Sequence, residues 1–278
     1  MKLYLVRHGQ STGNVGGTLL GQSDHPLTEL GEDQARAAAA RLAPFGPMPL
    51  HCSDLPRAVA TAEHIARAWS KPAAFGDLLD AASRPPAPAS SGAVPPGTTA
   101  LSSVLPDPRL REIDLGDYEG RSWEEFEADR ELAAAFAADP YGTALPGGES
   151  LAHIETRVMA AVADILAAHG LRDDGGLTTD SVATADASAS ATGFHCAEPG
   201  DAACIVSHDG PIRAILNHYL GVPPEKWWTL STSHGGVSLL EFSGSWVNVR
   251  FVNATSHLEG LGERAPAPSE PGDGPAAS

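Results

Sequence analysis

Short, uninterrupted apolar runs are what most constrain the fold of this chain. Leu3, Tyr4, Leu5 and Val6 stand together near the start, and AACIVS, residues 202–207, is a second compact run near the end. Neither alternates with polar residues, so each reads as a strand buried on both faces. Such strands need helices above and below the sheet, and the chain supplies them. PLTELGEDQARAAAARLA places Ala35, Ala38, Ala39 and Leu42 on one stripe, with Thr28 as N-cap. PRAVATAEHIARAW places Ala62, Ile65, Ala66 and Trp69 on another, with Pro56 in its first turn. Between them, LHCSD is a short strand ending in a turn.

Further along, Ser122 and Glu125 form a capping-box pattern that opens SWEEFEADRELAAAFA as one helix. SLAHIETRVMAAVADILAAH carries a stripe of Leu151, Ile154, Val158, Val162 and Ile165, and another helix is expected from Ile212 to Tyr219. VSLLEF and WVNVRFV read as a hairpin. Strands alternating with helices predict an α/β fold: three α/β/α layers around a mostly parallel central sheet. One domain is expected over residues 1–258. It is interrupted by a Pro-, Ala- and Ser-rich excursion at 81–104 and a low-complexity run at 171–202, and residues 259–278 are expected to form a disordered tail.

Composition excludes some classes of function. A formal charge of -17 repels polyphosphate backbones and anionic lipid surfaces, so neither nucleic acid nor a membrane is the expected partner. Cys52, Cys196 and Cys204 are scattered and odd in number, which fits free thiols in a reducing, cytoplasmic setting, and no pair has metal-site spacing. The apolar start ends at Val6 with Arg7 following, so no signal segment is expected. No metal and no cofactor are expected.

In sheets of this kind ligands gather at the carboxyl ends of the strands. That rule selects Arg7 and His8, Ser53 to Arg57, Glu112, and Ser207 to Gly210. Two guanidiniums brought to one place repel each other unless an anion lies between them, and their forked donors match a phosphoryl or carboxylate group. Imidazole, with an ordinary pKa of about 6.5, offers a neutral nitrogen near neutral pH and can attack phosphorus. Glu112 is the candidate proton donor, although Asp114, Asp117 and Glu119 stand close to it in sequence. His51, His64, His153, His169, His195, His218 and His257 are read as surface or half-buried residues; His25 and His234 are left open as edges of a substrate pocket. Trp227 and Trp228 are read as packing, and PGGES as a turn and helix start.

LVRHGQSTGN, followed in order by SDHPLTELG, SDLPRAVATAE, LREIDLGDYEG, PGGES and VSHDGPIR, resembles the histidine phosphatase superfamily, also called phosphoglycerate mutase-like. The resemblance covers most of the chain except the two excursions and the tail. It implies the phosphoglycerate mutase-like fold, with His8 as the nucleophile that becomes phosphohistidine. Arg7, Arg57 and His208 then hold the phosphoryl oxygens, Glu112 falls at the family's proton donor, Asn14 helps line the phosphate pocket, and Gln22 lies among the substrate contacts. Arg7, Arg57 and a protonated His208 are expected to supply the charge that a metal supplies elsewhere.

LREIDLGDYEG with PGGES looks like the branch of phosphomonoesterases, so the expected activity is hydrolysis of a small phosphorylated metabolite. The alternatives are phosphoglycerate mutase activity and a catalytically silent binding protein. Two positions depart from the pattern. Gly13 stands where many members have Trp, which is expected to widen the pocket. Asp209 follows His208 where Gly is commoner; its carboxylate either faces inward as part of the substrate site, holding His208 protonated, or is a turn residue in solvent.

Overall fold

The computed structural model describes residues 1–70, 104–169, 201–243 and 246–261. Its strands are β1 (Lys2–Arg7), β2 (Leu50–Cys52), β3 (Val104–Pro106), β4 (Ala202–Ser207), β5 (Val237–Ser243) and β6 (Trp246–Ala254). They form one sheet in the order β3-β2-β4-β1-β5-β6. The first four are parallel, whereas β5 runs antiparallel to β1 and β6 antiparallel to β5. The helices are α1 (Glu29–Leu42), α2 (Pro56–Ser70), α3 (Trp123–Ala128), α4 (Arg130–Ala138), α5 (Leu151–Ala168) and α6 (Asp209–Leu220).

The apolar runs behave as their composition requires. In β1, Leu3 and Leu5 pack with Ile154 and Val158 of α5 and Ile212 and Ile215 of α6. Tyr4 and Val6 point the other way, to Ala38 and Leu42 of α1 and Ala58 and Ile65 of α2. In β4, Ala203 and Ile205 join the first group, Cys204 and Val206 the second. Full burial of a Leu, Ile or Val side chain contributes about 1.5–3 kcal/mol. Both helical layers are therefore needed to hold a sheet that is apolar on both sides.

Three expectations about elements are corrected. SWEEFEADRELAAAFA is two helices, because Asp129 breaks the run: its carboxylate caps Leu132 N–H and accepts the Tyr118 hydroxyl. The helix after β4 begins at Asp209 rather than Ile212, which makes His208 its N-cap residue. β3 was not expected, since its three residues carry too little pattern to stand out. The 81–104 excursion, except Val104, and nearly all of the 171–202 run lie outside the described residues, as does the tail from residue 262.

Thr28 caps α1 by accepting from Gly31 N–H. Its first turn lies hard against the loop leaving β1. A Cβ on Gly9 would sit 2.2 Å from Gly31 O, and one on Gly31 would sit 1.9 Å from Gln10 O. Only two glycines permit backbone to approach backbone in this way. The contact places the residues after β1 before any catalytic group is considered.

Candidate active site

The parallel strands β1, β2 and β4 end at one edge, and their ends carry the polar residues. Arg7 pairs with Ser207 in the ladder, His8 N–H donates to Ser207 O at 2.9 Å, and Ser53 N–H donates to Val206 O at 2.9 Å. His8 and His208 thus come from neighbouring strands, with ring centroids 4.8 Å apart. Both rings are almost wholly buried. Gly9 N–H donates to Thr61 Oγ1 on α2, and Gln10 N–H to Gln34 Oε1 on α1, so the loop carrying His8 is held from two helices.

His8 Nδ1 lies 2.6 Å from Gly9 O. A carbonyl can only accept, so Nδ1 carries the ring proton and Nε2 keeps its lone pair for attack. Ser53 Oγ accepts from Leu55 N–H and lies 2.8 Å from His208 Nε2. When the serine hydroxyl donates to Nε2, the proton of His208 is on Nδ1.

Arg57 is buried, and its NH1 and NH2 groups donate to Ser23 O at 2.8 Å and Gly21 O at 2.7 Å. Arg7 NH1 donates to Thr232 O at 2.6 Å. Each guanidinium is therefore anchored on one side. Arg7 Nε, Arg57 Nε and His208 Nδ1 are buried without hydrogen-bond partners. Leaving such donors unpaired costs roughly 1–3 kcal/mol each, an arrangement that an anion accepting from all three relieves.

Glu112 is buried, and its carboxyl accepts from Ile113 N–H at 2.9 Å and, more weakly, from Gly210 N–H at 3.2 Å. Burial pushes its pKa up and nearby Asp209 adds to the effect, outweighing those two N–H groups and Arg7. Of the neighbouring acids, Asp117 is exposed and the other two are committed elsewhere. Glu119 accepts from Gly21, Gln22 and Ser23, and Asp114 Oδ1 accepts from Gly116 N–H. Arg157 on α5 pins the turn that carries Glu112, donating to the carbonyls of Arg109, Arg111 and Glu112 while paired with Glu149. Gln22 Nε2 donates to the same Glu112 carbonyl at 3.1 Å. Asn14 Oδ1 is taken by Ser11, which leaves its Nδ2 for a ligand.

Several expectations change in this setting. His208 is not held protonated: burial, then Arg57 and Arg7, lowers its pKa well below the ordinary value. In the empty site it is therefore a neutral imidazole. Asp209 faces inward but does not act on His208. Its carboxylate accepts from Arg213 Nε at 2.7 Å and from the Thr232 hydroxyl, and Arg7 NH1 lies 3.7 Å away. Burial opposes its ionisation, yet Arg7 and Arg213 hold its pKa below the carboxylate range. The space left by Gly13 is not open, because Leu20 and the His25 ring occupy it within 2.9 Å of where a Cβ would stand. Of the adjacent tryptophans, Trp227 is core, whereas Trp228 is exposed with Arg213 over its ring.

Two outcomes follow from these charges. Asp209 favours the protonated form of Glu112, so Asp209→Asn should move the alkaline limb of the kcat/KM profile to lower pH; an unmoved limb contradicts the coupling. His8 is lowered chiefly by burial, then by His208, His234, Arg7 and Arg57. The unfolded chain protonates such imidazoles near pH 6.5, whereas the fold keeps them neutral to well below it. Stability is thus retained above that pH and lost as pH falls, by up to about 1.4 kcal/mol per pH unit for each imidazole, with Glu112 partly offsetting it. Urea unfolding at about pH 7.5 and 5.5 measures this, and equal stabilities would contradict it.

The chain as a whole has relatives among known proteins. A family model described as histidine phosphatase superfamily (branch 1) matches residues 3–80, 97–175 and 184–255. The chain is 30% identical over 245 residues, 88% of its length and 86% of the relative's, to a "Glucosyl-3-phosphoglycerate phosphatase" of Mycobacterium tuberculosis (strain CDC 1551 / Oshkosh). It is 32% identical over 167 residues to the "Probable phosphoglycerate mutase GpmB" of Enterobacter sp. (strain 638), covering 60% of this chain but only 63% of that protein's length. Among solved structures, a mycobacterial glucosyl-3-phosphoglycerate phosphatase superposes with a TM-score of 0.63 at 27% identity, over 91% of this chain and 98% of that one. Bacillus stearothermophilus YhfR, with a TM-score of 0.66 at 23% identity over 93% and 99% of the two chains, shares the fold.

Proposed function

The chain belongs to the histidine phosphatase superfamily, and on that premise we propose that it hydrolyses a small phosphomonoester through a phosphohistidine on His8. The observation that carries this reading is the tautomer of His8. With Nδ1–H given to Gly9 O, Nε2 is the free nitrogen of a ring that lies 4.8 Å from that of His208 and within the fields of Arg7 and Arg57, whose Nε groups, like His208 Nδ1, are unpartnered. In the first step Nε2 bonds to phosphorus as the ester P–O bond breaks, and Glu112 gives its proton to the departing oxygen. In the second, the Glu112 carboxylate takes a proton from water, whose oxygen attacks phosphorus; the P–N bond breaks and phosphate leaves. Arg7, Arg57 and His208 stabilise the equatorial oxygens in both steps, with Asn14 and Gln22 at the margin and Asp209 orienting Arg7.

We assign the substrate to phosphorylated small metabolites, because both the 30%-identical relative and the superposable mycobacterial enzyme are named for one. Metal independence is part of the reading, since the two guanidiniums carry the positive charge that the transferred group requires. One domain over 1–258 and a cytoplasmic location complete it; the buried free thiols of Cys52 and Cys204 support a reducing compartment.

A panel of phosphomonoesters tests the proposal, with glucosyl-3-phosphoglycerate, 3-phosphoglycerate and p-nitrophenyl phosphate assayed with and without chelator. Phosphate release that withstands chelation is expected. Conversion of 3-phosphoglycerate to 2-phosphoglycerate without phosphate release would establish the mutase instead.

A further inference from the structure

One more unpartnered nitrogen lies at this edge. Nε2 of His234 is buried without a hydrogen bond, and its ring is 5.5 Å from that of His8, tilted by 53°. The segment that carries it is tied down on both sides. Gly235 N–H donates to Arg7 O at 3.0 Å and His8 O at 3.2 Å, and Arg7 N–H donates to Gly236 O at 3.2 Å. Ser233 N–H donates to Asn253 Oδ1 at 2.7 Å, and His257 Nε2 donates to Gly235 O at 2.9 Å. Before it, Thr232 joins Arg7 to Asp209. The ring is therefore fixed to the same backbone as the nucleophile, and its unpaired nitrogen is kept at a cost of roughly 1–3 kcal/mol.

Resting on the phosphatase reading above, we propose that His234 is a third imidazole of the phosphoryl pocket, whose Nε2 binds a non-bridging oxygen and takes up a proton as the dianion enters. The charged and titratable groups around it are Arg7 and His8 at the end of β1, Arg57 on α2 and Asp209 on α6, with His257 behind the following carbonyl. Burial, with Arg7 and Arg57, holds the His234 pKa down to about 3 in the empty site, against Asp209. A phosphoryl dianion reverses the sign of the local field and so favours the imidazolium. The pocket thereby gains a positive charge only when an anion is present to need it.

The test titrates inorganic phosphate into the full-length protein by calorimetry, in two buffers of different ionisation enthalpy, which yields both affinity and protons taken up. His234→Ala should bind phosphate about 10- to 100-fold more weakly and take up fewer protons. His234→Gln, which donates but cannot be protonated, should recover part of the affinity without recovering the proton uptake. Wild-type affinity and proton uptake in His234→Ala would overturn the proposal. If only the Gln variant folds, proton uptake equal to that of the wild type overturns it. Phosphate binding needs no turnover, so the phosphatase reading can fail, through a His8→Ala protein that still hydrolyses ester, while this titration is judged separately.

Discussion

Replacing His8 by Ala should lower phosphomonoester turnover on the order of 10⁴-fold or more and abolish acid-labile phosphorylation of the protein. The Nδ1–H of His8 is given to Gly9 O, which leaves its Nε2 basic in the site that holds the unpartnered donors of Arg7, Arg57 and His208. His208 lies close by, but its Nε2 is engaged by Ser53 and its ring comes from the neighbouring strand. Substitution of His8 also removes a ring whose neutrality is imposed by burial, so the variant should be no less stable at mildly acidic pH. Rapid quench with radiolabelled substrate, followed by alkaline and acid treatment, reads the covalent step directly. Label retained in His8→Ala would remove the proposed nucleophile.

Glu112→Gln should have the second largest effect. Loss of a general acid commonly costs about 10²–10⁴ in rate, or roughly 2.7–5.4 kcal/mol of barrier. The loss should depend on the leaving group. An alkyl phosphate departs as a strongly basic oxygen and needs the proton, whereas p-nitrophenolate departs readily without it. With p-nitrophenyl phosphate the first step should survive and the second should slow, because water then lacks its base; a burst of p-nitrophenol equal to the enzyme concentration is the expected sign. In the wild type, kcat/KM should fall as pH rises through the raised pKa of Glu112, and that limb should vanish in the variant. Equal first-step losses for both esters would sink the assignment.

Much of this was legible from the strand ends. Arg7, His8, Arg57 and His208 stand where short apolar runs stop, and the sheet order brings β1, β2 and β4 side by side. Glu112 is singled out in sequence less sharply than the others, because Asp114, Asp117 and Glu119 stand close by. The separation is made in three dimensions, by backbone N–H groups that consume Glu119 and Asp114 and by burial of Glu112. Arg157 carries no sequence signal of its role, because nothing local reveals that the carbonyls of a distant turn await it. His234, just before a strand in STSHGGVS, is a candidate for the pocket edge in sequence, but the strand-end rule selects only residues that follow a strand. Antiparallel β5 begins opposite Val6, so the residues before it reach the same edge as those after β1. An antiparallel strand thus reverses the usual rule, and a sequence reading that foresaw the orientation of β5 could have included it.

The touching backbones of Gly9 and Gly31 join the nucleophile's loop to the first turn of α1 with no side chain between them to yield. Amide protons in these two segments should therefore exchange with deuterium as a single unit, since neither can open without unseating the other. Heating would then switch the catalytic geometry off in one cooperative event rather than loosening it by degrees.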